Sequence, residues 1–327
     1  AVIGALLLIA NMTVTAARRG WASLSYLGVP KEFIAYSTMV LILCVGMFNL
    51  FGPKHSGSMA VILAIPAVAV VVIIIGMSLP HLSNAHLEIS SQGWLKNWGS
   101  FVGVILALSG VEAIANLTGV MKLDSGATAD KPRVLQTARR SIWPVAVEVV
   151  FGTVLLGWAM LSLPKEFTSR LFDHKEDMLR FMGEQYGTLA LGEFFGHLFG
   201  ILVGIIFGLL LISAVNTAIV ALIGLIYMMA RDGEMPRPLT RLNASGVPRG
   251  PLLIAVFLPV VVLAFVRNFE VLAALYAIGV VGAIAVNVGS CSFNQKLPLA
   301  WHERGIMAVT FVVLMAVELT IAKTQQD

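Results

Sequence analysis

Charge is scarce in this chain and thiols are scarcer: 12% of its 327 residues are Asp, Glu, Lys or Arg, and only two are cysteine. A soluble domain carries about 25% charged residues, so a globule wrapped in a water-facing surface is excluded. Cys44 and Cys291 both lie in apolar runs, and no CxxC or Cys/His cluster accompanies them. A disulfide scaffold and a metal site are therefore excluded as well. None of the six histidines stands in an HExxH, His197 stands alone, and there is no GxSxG elbow. The chain is thus not read as an enzyme. A channel is disfavoured, because no filter-like loop repeats and no acidic ring is visible. No cofactor motif occurs, and nothing sets an oligomeric state. Ala1 opens directly into an apolar run without a basic leader, so no cleavable signal is read, and the abrupt start suggests a chain trimmed at its front.

What is abundant is apolar surface: 58% of the residues are hydrophobic and the mean hydropathy is +0.88. Separate apolar runs of about 18 residues or more, broken by polar loops, point to an all-α membrane protein embedded in a lipid bilayer, since a barrel shows alternating segments of about ten. The runs predict about nine spanning helices: 1–17, 32–51, 58–79, 98–120, 142–163, 192–229, 251–266, 271–293 and 305–322. They make one transmembrane domain over 1–327. The net charge of +4 is not a nucleic-acid signal, because loop lysines and arginines in such a chain set its orientation. Basic residues concentrate in the short loops after residues 51, 120, 230 and 293, which assigns that face to the cytoplasm; Arg18 and Arg19 argue the other way.

The fourth run carries the main candidate. Ser109-Gly110-Val111-Glu112 lies near its midpoint, and a helix interior in lipid favours neither glycine nor an ionised carboxylate. Either Glu112 hydrogen-bonds to a neighbouring helix, or the helix is interrupted at Ser109-Gly110 so that freed backbone groups line a substrate cavity and Glu112 titrates within it. The second reading is preferred. Further along, Gly192, Gly196, Gly200, Gly204 and Gly208 recur every fourth residue, a stripe suited to close helix packing. On the same run Asn216 and Thr217 are candidates for lining a cavity, whereas Asn11 and Thr13 read as glue between helices. Tyr276 is expected to be buried, where its hydroxyl requires a partner. Glu148 reads as structural and Glu318 is expected to reach the interface from the end of the last helix. Residues 165–193 read as a long amphipathic connection outside the membrane.

Several stretches together carry a resemblance. They are Asn49-Leu50-Phe51-Gly52-Pro53-Lys54; Ser109-Gly110-Val111-Glu112-Ala113 with Lys122; Ala230-Arg231-Asp232-Gly233 with Met235-Pro236-Arg237 and Gly246-Val247-Pro248; and Leu275-Tyr276-Ala277-Ile278-Gly279. With these, nearly the whole chain resembles the amino acid–polyamine–organocation (APC) transporter superfamily. The resemblance implies a fold of two inverted five-helix repeats, of which this chain supplies helices three to eleven and lacks the first two. It also implies a bacterial inner or plasma membrane, alternating access, and a small-solute substrate moved with protons or sodium. In that reading Ser109, Gly110 and Val111 meet the substrate carboxylate, Glu112 couples and gates, and Asn216, Thr217 and Tyr276 line the site. A potassium importer of the same superfamily, with Ser109 and Tyr276 oxygens as ligands, is the alternative; the first segment lacks the acidic and tyrosine partners expected for it. The loop after Glu112 also departs from the family, with Asp124 to Asp130 separating Lys122 from Lys131-Pro132-Arg133.

Overall fold

The structure is a computed structural model, and it describes residues 2–52, 56–85, 93–105, 121–128, 133–168, 170–171 and 173–324. Ten helices of two turns or more are found among them: α1 Val2–Tyr26, α2 Lys31–Asn49, α3 Ser56–Ser78, α4 Trp94–Ile105, α5 Leu135–Leu161, α6 Met178–Leu191, α7 Glu193–Arg231, α8 Arg249–Phe265, α9 Phe269–Phe293 and α10 Trp301–Thr324. Among the described residues the only β pairing is an isolated bridge between Leu242 and Pro248. Six helices, α2, α3, α5, α7, α9 and α10, are long and apolar enough to cross a membrane. Their large exposed side chains, such as Phe48, Ile62, Phe293 and Val309, are at home in lipid, which supplies no penalty for apolar surface. The chain is an all-α integral membrane protein.

The chain divides into two compact units, 1–80 with 163–327 and 81–162. In the larger one, α1 is the central element: it packs against α2, α7, α8 and α9. Val14, Ala17, Trp21 and Leu24 bury one continuous face of α1 against Ile42, Val215 and Leu272 of its neighbours, following the i, i+3, i+4 periodicity of a helix. That face explains a departure from expectation. The first helix does not stop at Ala17 but carries Arg18 and Arg19 inside it and continues to Tyr26.

The glycine stripe lies on α7 with two partners. An added Cβ on Gly196 would run into Thr188 of α6, and one on Gly200 would lie 2.8 Å from Glu184 Cβ, also on α6. Further on, the same construction at Gly204 meets the Tyr26 carbonyl oxygen at 2.6 Å, and at Gly208 meets Leu27 Cγ at 2.7 Å. Backbones therefore approach closely all along this face. Gly192 is the exception: it sits between α6 and α7 at φ 92° with nothing within 4 Å, so it reverses the chain and is not part of the stripe. That left-handed conformation is one that a side chain resists. The connection 165–193 thus contains α6, folded back along α7 as a hairpin. His197 is not alone either, since its Nδ1 lies 3.3 Å from Glu184 Oε1 across that hairpin.

Helix α7 has 39 residues, roughly 58 Å at about 1.5 Å per residue, nearly twice the ~30 Å of hydrocarbon it has to cross. At its far end the loop before α8 is knitted by Asn243. Its Oδ1 accepts from the Ser245 and Val247 amides at 2.9 and 2.8 Å, and its Nδ2 donates to the Leu50 carbonyl at 3.0 Å. Helices α9 and α10 are antiparallel neighbours. Gly289 of α9 faces Phe311 and Gly282 faces Glu318, so Glu318 stands level with the middle of α9.

In the smaller unit, α4 stacks Trp94 on Trp98, ring centroids 6.3 Å apart, and α5 begins above a capping carboxylate. Asp124 accepts from the backbone amides of Gln136 and Thr137, each at 2.9 Å, and from the Thr137 hydroxyl at 2.9 Å. These orphan amides at a helix start are what such a carboxylate satisfies. The Gln136 amide foremost, then Thr137 and Arg140, hold the Asp124 carboxyl below the usual carboxylate range. Glu148 is exposed on α5.

Candidate functional site

The polar groups of the larger unit gather on the two sides of α1. Arg18 turns toward α9: its Cζ lies 4.6 Å from the centroid of the Tyr276 ring and 5.8 Å from that of Phe269. Both distances fall within the range of cation–π attraction. Tyr276 is 2% exposed, in agreement with the burial expected for it. Arg19, the next residue, turns toward α7 and donates from Nη1 to the Ala214 carbonyl at 3.4 Å. Among the described residues neither arginine is in an ion pair. A guanidinium cannot shed its proton to suit its surroundings, so α1 places fixed positive charge beside a buried aromatic ring.

Asn216 lies on α7, two residues past Ala214, and its Oδ1 accepts a 2.6 Å hydrogen bond from Asn49 Nδ2 at the end of α2. The same Nδ2 donates to the Val45 carbonyl at 2.9 Å, which fixes the amide between two helices. Thr217 is exposed, and its hydroxyl donates back to the Ser213 carbonyl at 3.0 Å. Asn216 and Tyr276 therefore belong to two helices that both pack against α1, the helix that carries the arginine pair. Asn11 also serves the α1–α9 contact, since a Cβ on Gly279 would lie 3.0 Å from Asn11 Cα. Thr13 donates to Ile9 within its own helix, at 2.8 Å, and among the described residues its hydroxyl makes no bond to another helix. Ser109, Gly110, Val111 and Glu112 lie outside the described residues.

The Tyr26 end of α1 is covered by the segment before α6. Glu176 Oε2 accepts from Trp21 Nε1 at 3.5 Å and from Ser25 Oγ at 3.2 Å. Its neighbour Lys175 donates to Glu270 at the start of α9, and that bond raises the lysine above its ordinary pKa. Asp177 takes the Arg180 guanidinium and, at 3.0 Å, His174 Nδ1, while the His174 ring stacks on Phe181 with centroids 4.5 Å apart. The segment is thus pinned to α1 and α9, the two helices that carry Arg18 and Tyr276.

Arg18, Arg19 and Asn49 are candidate site residues that sequence reasoning missed. For the arginines a signal was present. Trp21 and Leu24 continue the apolar face of Val14 and Ala17 at helical spacing, and a continuing face argues that a charged pair lies within a helix and does not end it. Chemically, the arrangement offers positive charge, an aromatic ring and amide groups around one helix, a set that suits a small zwitterion or carboxylate. Among the described residues no group of three or more His, Cys, Asp or Glu side chains could hold a metal ion.

A family model described as amino acid permease matches residues 2–323 of the chain. None of the curated proteins compared with the chain matches it.

Proposed function

The chain belongs to the amino acid permease family, and on that premise we propose that it is a secondary active transporter of amino acids or related small organic solutes, coupled to protons or sodium and working by alternating access. The observation that carries the choice of substrate is Arg18 against Tyr276. A solute carboxylate about 4 Å from the guanidinium gains roughly 4 kcal/mol of Coulomb energy at an effective dielectric constant near 20, before desolvation is charged against it. A bare potassium ion on the Tyr276 hydroxyl faces repulsion instead, roughly 3 kcal/mol for like unit charges about 5 Å apart. The potassium-importer reading is accordingly the weaker one.

In this reading Ser109, Gly110 and Val111 present backbone amides at a break in their helix to the same carboxylate. Tyr276, Asn216 and Thr217 line the path, and Glu112 exchanges the coupling proton or pairs with the coupling ion. The basic loops lie on the cytoplasmic side of a bacterial inner membrane.

Proteoliposomes holding the full chain, assayed with a mixture of radiolabelled amino acids, test the proposal. Glu112→Gln keeps the shape of the side chain and removes titration, so gradient-driven uptake falls severely while exchange across a preloaded membrane persists. Arg18→Gln weakens both, by about tenfold or more if the Coulomb term above survives desolvation at about 1.4 kcal/mol. Rubidium uptake that is unaffected by Arg18→Gln, together with no amino acid uptake by the wild type, would sink the reading and restore the potassium importer.

A further inference from the structure

Glu318 is a second carboxylate at membrane depth, and the function just proposed does not use it. It projects from α10 against the one place on α9 that has no side chain: a Cβ built on Gly282 would lie 3.3 Å from Glu318 Oε1 and 3.5 Å from Leu7 Cδ1 of α1. Oε2 is buried and has no hydrogen-bond partner among the described residues. The flanks of α10 are lipid-like, with Val312 and Leu319 exposed.

Charged groups on the packed helices stand apart from it. On α9 the titratable residues are Glu270, Tyr276 and Cys291, and on α1 they are Arg18, Arg19 and Tyr26. On α10 itself they are His302, Glu303, Arg304 and Lys323. Each is more than one helical turn from the level of Gly282, Leu7 or Glu318 on its helix, and among the described residues none forms an ion pair with Glu318.

An ionised carboxylate in such a seam, with one oxygen lacking any donor, costs several kcal/mol. A bound positive charge removes that cost. A hard metal cation needs a shell of several oxygens, and Gly282 and Leu7 bring no side-chain oxygen. A proton needs a single one. We infer that Glu318 is a proton-binding site in the seam between α1, α9 and α10, separate from the site at Arg18 and Tyr276: the carboxylate takes one proton from water to become a carboxylic acid when the seam closes, and returns it to water when the seam opens. The site itself does not depend on which solute is carried.

Infrared difference spectroscopy on the full chain in lipid nanodiscs at pH about 7 reads the site directly, without a transport substrate. The wild-type minus Glu318→Gln spectrum is expected to show the C=O stretch of a protonated carboxylic acid, lost in the variant. A difference containing only carboxylate stretches overturns the proposal. So does a carboxylate signal that changes when sodium is replaced by choline, which would mark a cation in place of the proton. Gly282→Ser leaves Glu318 intact and sets a hydroxyl beside Oε1, so it carries the test even if Glu318→Gln does not fold. The carboxylic C=O band is expected to shift to lower frequency as it gains that donor, and an unmoved band would show that Glu318 does not occupy the seam.

Discussion

Replacing Gly204 by alanine sets two opposed effects against each other on one helix. Alanine improves the intrinsic stability of a helix interior over glycine by about 1 kcal/mol. Against that, the new Cβ would lie 2.6 Å from the Tyr26 carbonyl oxygen and 3.0 Å from Arg180 Cδ. The arginine stem can swing aside. The carbonyl cannot, because it belongs to the backbone at the end of α1, so α1 and α7 have to separate by about half an ångström or more to restore ordinary contact. Overpacking of this kind costs about 1–3 kcal/mol, and it outweighs the propensity gain over most of that range. Gly224 is the internal control, since it lies on the same helix with nothing within 4 Å of its added Cβ; Gly224→Ala keeps the gain and avoids the cost. Thermal unfolding of detergent-purified protein, followed by the loss of helical circular dichroism, reports both. At about 2–4 °C per kcal/mol, Gly204→Ala lowers Tm by a few degrees, Gly204→Leu lowers it further or prevents folding, and Gly224→Ala leaves it unchanged or raised. A Gly204→Ala protein as stable as Gly224→Ala would refute the close approach of α7 to α1.

Two other changes test the polar contacts. Asn49→Leu removes the donor to Asn216 Oδ1 and leaves a half-buried amide oxygen unsatisfied, at a cost of about 1–3 kcal/mol; adding Asn216→Leu recovers part of that loss, and a double-mutant cycle with no coupling would contradict the bond. Asp124 titrates below its ordinary value because of the amides it caps. Its folded pKa is thus lower than its unfolded one, so its support of the α5 start is present above pH about 3.9 and is lost as pH falls through the lowered value. Amide exchange at Gln136 and Thr137, corrected for intrinsic rates, should lose protection over that acid range in the wild type, and Asp124→Asn should abolish the pH dependence.

Apolar runs made the helical class and the family readable from the sequence, because in lipid the run length is itself the structural constraint. Ends were harder to place. The Arg18–Arg19 pair resembles an interface anchor until the apolar face beyond it is followed to Leu24. Gly192 shares the spacing of the stripe, yet its φ of 92° removes it from the helix, a distinction that periodicity does not contain. The partners of the site residues were out of reach for a different reason. Asn49 meets Asn216 across 167 positions and Arg18 meets Tyr276 from the opposite end of the chain, and neither pairing leaves a local mark. For Glu318 the sequence offers only its distance from the end of its own helix, whereas its neighbour Gly282 follows from the packing of α9 on α10.

The central position of α1 has a consequence in time. It is made well before its partner α7, so Arg19 finds the Ala214 carbonyl only after a further 195 positions have been made. At about 5–20 residues per second that is a wait of roughly 10–40 s, during which two permanent cations, each costing about 2.5–3.5 kcal/mol at the centre of a membrane, have no helical partner. The contacts that hold α1 through Arg18 and Arg19 can therefore close only once α7 and α9 have been made.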